Sequence, residues 1–194
     1  AEMRKFSSTK HQAYFAAPVN STVVNHEWYT PVDIVDRARA VMGSIDIDPF
    51  SSDHAQQTIR AARYLTKAEN ALVAEWPIGR TLWANPPYGR EMSSCVHRIV
   101  DEFDRSWTEG IILVNNATET VWFQSLAQMA VSMCMFAKRI EFVHPDGNPI
   151  EHNTRGQIAI YIGENPDDPA DPFIYRKNKF GPWEPIDPEK GITS

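Results

Sequence analysis

Cysteine is scarce in this chain: only Cys95 and Cys134 occur, each within an apolar pattern and neither in a Cys-x-x-Cys pair. A disulfide framework is therefore not expected, and both thiols read as packing residues of a reduced, cytosolic protein. His11, His26, His54, His97, His144 and His152 are dispersed, so no metal centre can be assembled from them, and no Gly-x-Ser-x-Gly accompanies them to suggest a hydrolase triad. There is no run of eighteen apolar residues and no basic-then-apolar leader, which supports neither a membrane span nor a signal peptide. Positive charge is also in deficit. With 19 Lys and Arg against 25 Asp and Glu, the net charge of -6 argues against a protein that coats nucleic acid. No internal repeat is present.

What is present suits an α/β domain. The 194 residues are 42% hydrophobic and 11% aromatic, enough for a single sizeable core. Thr30 reads as a helix N-cap with Pro31 at the first helical position, and Ile34, Val35, Ala38, Val41 and Met42 recur at helical spacing before Gly43 ends the helix. Residues 44–49 alternate as a strand, with Ile45 and Ile47 on one face and Asp46 and Asp48 on the other. A buried strand over 81–84 leads into Asn85-Pro86-Pro87-Tyr88-Gly89-Arg90, and an amphipathic helix follows from Glu91 through Met92, Val96, Ile99, Val100 and Phe103. The apolar run from Gly110 to Asn115 predicts a strand buried on both faces. A helix from Thr118 or Glu119 to Met129 comes next, then strand candidates at 132–136, 139–143 and 157–162, the last two able to form a hairpin around His144-Pro145-Asp146-Gly147. Beyond Gly163, Pro and Asp accumulate as in an irregular tail or wrapping arm. The expected division is an N-terminal arm over 1–25, a main domain over 26–163 and the tail over 164–194. Arg4, Lys5 and Lys10 near the start are locally basic, as are Arg176, Lys177 and Lys179, which interleave with Tyr175 and Phe180. That pattern fits a single-stranded or distorted nucleic acid, or a solvated tail.

The chemistry concentrates at Asn85-Pro86-Pro87-Tyr88, in the loop at a strand's carboxyl end, where open α/β sheets bind ligands. An adenine amine shares its lone pair with the ring and attacks weakly; two acceptors gripping its hydrogens favour a pyramidal nitrogen with the lone pair exposed. Asn85 offers a side-chain carbonyl. Pro86, with no N–H and a fixed φ, offers a backbone carbonyl on a stiff frame that Pro87 stiffens further. Tyr88 offers a flat face on which an extruded base can stack, worth about 1–3 kcal/mol. The same residue types also favour a plain turn.

In chain order, Glu27-Trp28-Tyr29-Thr30-Pro31, Asp46-Ile47-Asp48-Pro49-Phe50, Asn85-Pro86-Pro87-Tyr88-Gly89 and Arg139-Ile140-Glu141-Phe142-Val143 resemble the phage-type, Dam-like DNA N6-adenine methyltransferases. The resemblance implies S-adenosyl-L-methionine as methyl donor, DNA as partner, no metal, and the cytoplasm of a bacterial or phage-infected cell. It implies a Rossmann-like class I methyltransferase sheet, mostly parallel with a reversed final strand. Only about thirty residues separate Pro49 from Thr81, too few for two full strand-helix units, so the sheet is expected to be abbreviated between the cofactor strand and the catalytic strand.

Asp48-Pro49-Phe50-Ser51-Ser52 lacks the glycines that admit a nucleotide close to backbone, so cofactor binding must lean on side chains. Asp48 is the first choice for the cofactor's ammonium and Asp46 the second, unless the latter caps the following turn. Tyr29 and Thr30 are expected beside the methionine part, with Pro49 and Phe50 at the strand end, where Phe50 could instead be core. Asp53 and Glu69 are the candidates for the ribose hydroxyls. Trp122 or Phe123 offers a second stacking surface for adenine, or core packing. Arg176, Lys177 and Lys179 are candidates for phosphate. The competing readings are an acceptor in RNA or on protein glutamine, and a silent nucleic-acid-binding module of the same fold.

Overall fold

The longest strand among the described residues, Glu109–Asn115 (β4), organises the sheet of this computed structural model, which describes residues 28–144, 146–148 and 153–163 and the backbone of two short strands beyond them. On one side of β4 lies Thr81–Ala84 (β3), parallel to it, with Leu82 opposite Gly110 and Ala84 opposite Ile112. On the other lies Gln157–Ile162 (β6), antiparallel. Ile47–Ser51 (β1) and Arg63–Thr66 (β2) continue the parallel side, and Ser132–Met135 (β5) pairs antiparallel with β6, so it runs the same way as β4. Tyr175–Lys177 (β7) and Trp183–Pro185 (β8) extend that edge, giving the order β2-β1-β3-β4-β6-β5-β7-β8.

Side chains alternate across a strand, so β4 feeds two cores. Ile111 and Leu113 join Trp83, Ala159, Tyr161 and Phe142 under helix Val32–Met42 (α1), through its Val35, Ala38 and Met42. Ile112 and Val114 join Leu82, Ala84, Ile158 and Ile160 under helices Met92–Arg105 (α3) and Val121–Met129 (α4). Between β1 and β3 the chain makes only one turn of helix, Gln56–Ile59 (α2), then β2 and an irregular return.

Several expectations shift. Pro31, not Thr30, is the N-cap of α1, while Gly43 closes that helix at φ 75°. Helix α4 starts at Val121, because the Thr120 hydroxyl accepts the Phe123 N–H at 3.3 Å and fixes the end there. Ile45 and Ile47 do not share a face: the regular strand begins at Ile47, and Ile45 packs in the α1 cluster while Ile47 packs in the other. Residues 139–143 form no strand and no hairpin with β6. Ile140 and Phe142 are buried with strand-like alternation, but Val143 exchanges backbone hydrogen bonds with Tyr29, and β6 pairs with β4 and β5 instead. The tail is not wholly irregular, since β7 and β8 form a hairpin on β5. The expected arm over 1–25 lies outside the described residues.

Close packing at the β3–β4 pair gives a stability test. A Cβ at Gly110 would lie 2.6 Å from Cζ of Phe103 and 3.0 Å from the Leu82 carbonyl oxygen, and the backbone cannot yield. Gly110→Ala is expected to lower unfolding free energy by about 1–3 kcal/mol in urea titrations, and Phe103→Leu in the same chain to restore part of the loss.

Candidate active site

The parallel strands β1, β2 and β3 end at the same sheet edge, and the loops that follow them enclose a cleft of about 540 Å³. Its wall includes Tyr29 and Thr30, then Asp48 through Ser52, Thr66, Lys67 and Asn70, and all of Asn85 to Tyr88. Residues far apart in sequence thus meet because parallel pairing puts every strand's carboxyl end on one side.

The Asn85 side chain is held at both ends. Its Oδ1 accepts the Tyr88 hydroxyl at 3.0 Å, and its Nδ2 donates to the hydroxyl of buried Thr30 at 3.3 Å. Burial raises the Tyr88 phenol above its ordinary value, so it stays protonated and keeps donating. Pro86 is buried and Pro87 exposed, and among the described residues no donor is bonded to the Pro86 carbonyl. Gly89 turns the chain toward α3 at φ 140°, a conformation side chains resist. Thr30, expected against the cofactor, therefore also touches the asparagine. The Tyr88 hydroxyl has a partner that stacking alone would not require.

Asp48, the second residue of β1, is 1% exposed. Its Oδ2 accepts Nε2 of Gln56 at 3.0 Å, and Oδ1 has no hydrogen-bond partner. The Gln56 amide is locked, because Nε2 also reaches the Ser51 hydroxyl at 2.7 Å while Oε1 accepts the Ala61 N–H at 2.8 Å. Burial pushes the Asp48 carboxyl up to about 7, against the opposing pull of Ser51, the Phe50 N–H and Gln56. An unpartnered buried oxygen in the wall of a cleft fits a cationic group, and the ammonium of S-adenosylmethionine has that chemistry.

Other candidates fall elsewhere. Asp46 does not line the cleft: at the amino end of β1 its Oδ2 accepts the N–H groups of Arg80 and Thr81 at 2.8 and 3.1 Å, fixing the entry to β3. Asp53 accepts the Tyr64 hydroxyl, and Glu69 accepts the N–H and hydroxyl of Thr66; neither lines the cleft, where Lys67 and Asn70 stand instead. Phe50 edges the cleft and also packs on the core, meeting Trp76 edge-on at 6.0 Å. Phe123 is core at 3% exposure, and Trp122 packs against it and the same cluster; neither lines the cleft. Arg176 and Lys177 belong to β7, across the sheet from β1, and Lys179 lies outside the described residues. Gln56 escaped sequence reasoning, since neither periodicity nor motif distinguishes it.

Asp48 has a stability signature. A carboxyl raised from 3.8 to about 7 by folding favours the unfolded chain once that chain can ionise, so its contribution is full below pH 4 and lost as pH rises from 4 to about 7. Asp48→Asn is expected to raise the melting temperature of the unliganded protein at pH 8, on the order of 5 °C, with little effect at pH 4. Equal melting of the two proteins at both pH values would contradict this.

Among the described residues no helix is long and apolar enough to cross a membrane. No curated protein matches the chain. Residues 20–179, however, match the family described as DNA N-6-adenine-methyltransferase (Dam), a span that contains every wall of the cleft. With the match covering most of its length, the chain belongs to the DNA N-6-adenine-methyltransferase (Dam) family.

Proposed function

We propose that this chain transfers a methyl group from S-adenosyl-L-methionine to the N6 amine of an adenine flipped out of DNA, on a Rossmann-like class I methyltransferase sheet shortened between β1 and β3. The observation that carries the reading is the pairing of two features in one cleft: the Tyr88–Asn85–Thr30 chain at the end of β3 and the half-satisfied Asp48 carboxylate of β1. These strands are neighbours, about 4.8 Å apart. When bound, the cofactor supplies a methyl group activated on a sulfonium.

The residues then divide the work. Asp48 holds the ammonium, with Tyr29, Pro49 and Phe50 beside it. Asn85 Oδ1 has two acceptor positions, so it can keep the Tyr88 hydroxyl and still take one N6 hydrogen. The Pro86 carbonyl takes the other, and Pro87 keeps that carbonyl rigid. Tyr88 stacks on the base with its ring while its hydroxyl holds the asparagine. Thr30 sets the amide's orientation, because its hydroxyl receives the Nδ2 end and leaves Oδ1 for the substrate. Arg176 and Lys177 on β7, together with Lys179, add positive charge for DNA.

Asn85→Ala is expected to reduce methyl incorporation into DNA by at least about a hundredfold while leaving cofactor affinity within about twofold in calorimetry. Tyr88→Phe keeps the ring and loses a neutral hydrogen bond of about 0.5–1.5 kcal/mol, so kcat should fall roughly three- to tenfold. Wild-type turnover in Asn85→Ala would remove this residue from the mechanism. The cofactor's dissociation constant should rise as pH falls below about 7, by up to tenfold per unit, because Asp48 must lose its proton to receive an ammonium. That slope should vanish in Asp48→Asn.

A further inference from the structure

A second cleft, of about 500 Å³, opens on the same sheet edge as the first. Because β6 runs against β4 and β5, its amino end lies beside their carboxyl ends, with Asn115 opposite Gln157 and Met135 opposite Ile158. The loops after β4 and β5 and before β6 therefore converge. Lys138, Arg139 and Arg155 line the space and are exposed, and among the described residues none of their side chains enters an ion pair. Elsewhere Arg39, Arg63, Arg80, Arg98 and Arg105 are each matched with a carboxylate, while Arg37, Arg60, Lys67 and Arg90 enter no ion pair among the described residues but do not line this space. Among the described residues Glu119 is the one carboxylate on this wall. Unneutralised cations gathered in an acidic chain call for an anion.

The frame beneath them is built. Gln157 Nε2 donates to Asn115 Oδ1 at 3.0 Å, Gln157 Oε1 accepts Asn153 Nδ2 at 2.9 Å, and Asn153 Nδ2 also reaches the Ile140 carbonyl at 3.0 Å. Gln157 and Asn153 are buried, so this amide chain ties the ends of all three loops together. Gly156 lets the loops close, since a Cβ there would sit 2.8 Å from Nδ2 of Asn116. The cations thus stand on a fixed platform.

We propose that this second cleft binds the backbone phosphates of the DNA strand flanking the target adenine, with Lys138, Arg139 and Arg155 as the contacting groups. The inference rests on the adenine-methyltransferase reading above. From β3 to β5 is three strand spacings, about 14 Å, which corresponds to about four phosphates of one strand. A base seated at Asn85 would leave its neighbouring phosphates over the basic loops. Contacts of this kind position the duplex without reading its sequence.

The test is the affinity of the full chain for a duplex oligonucleotide, by fluorescence anisotropy at several salt concentrations, for wild type, the triple variant Lys138→Gln, Arg139→Gln, Arg155→Gln, and the control Arg37→Gln on the exposed face of α1. The triple variant should bind more weakly, and its plot of log affinity against log salt should be shallower by about 2–3, about 0.9 per lost contact. The loss should be alike on unrelated duplexes. Cofactor affinity and melting temperature should match wild type, and Arg37→Gln should keep the wild-type slope. A triple variant with wild-type slope and affinity overturns the phosphate site and leaves the enzyme reading standing. A loss confined to one sequence overturns it in favour of base contacts. A wild-type chain that binds cofactor but no DNA even at low salt overturns the DNA reading itself.

Discussion

The register of β3 on β4 is the constraint from which the site follows. Thr81, Leu82, Trp83 and Ala84 are all buried and pair in order with Glu109 to Ile112, so each of the four has a fixed face. A slip of one residue would exchange Leu82 and Trp83 between the two cores and carry Asn85 away from Thr30. Asp46 guards this register from the other end by accepting the N–H groups of Arg80 and Thr81, which commits the strand's first residue before pairing begins. An acidic side chain that looks like a ligand for a cofactor is thus spent on alignment, and the alignment delivers the asparagine.

Along the same sheet edge polarity is partitioned. The cleft over β1, β2 and β3 holds a buried carboxylate with one oxygen unmatched; the cleft over β4, β5 and β6 holds exposed cations that form no ion pair among the described residues. Each is a local defect in the folded chain that a ligand of opposite charge would repair. Asp48 is the sharper case, because burial without a full set of donors costs stability at neutral pH and is tolerated only where Gln56 is itself locked by Ala61 and Ser51.

Much of this was legible in the chain, and for identifiable reasons. The run from Gly110 to Asn115 could only be a doubly buried strand, and the Asn-Pro-Pro-Tyr turn announced a loop between strand and helix. Asp48 belongs to the alternating run 44–49, and the structure puts it in the cleft wall. What escaped depended on partners that no local pattern encodes. Ile140 and Phe142 alternate as strand residues do, yet the Ile140 carbonyl accepts the Asn153 amide and the following Val143 pairs with Tyr29 instead of a sheet neighbour. Asp46 and Asp48 have the same local spacing, and only the third dimension sends one to the Arg80–Thr81 amides and the other into the cleft wall. Phe123 was offered as a stacking surface because helical spacing leaves the facing side ambiguous; the fold turns it inward. Strand β2 and the single turn α2 were too short to register as periodic segments.

The central claim is the identity of the methylated atom. Incubating the chain with unmethylated DNA and isotopically labelled S-adenosylmethionine, digesting the product to nucleosides and weighing them by chromatography and mass spectrometry tests it directly. The account predicts label in N6-methyldeoxyadenosine alone. Label in methylated cytosine, or in the protein with none in the DNA, would contradict it.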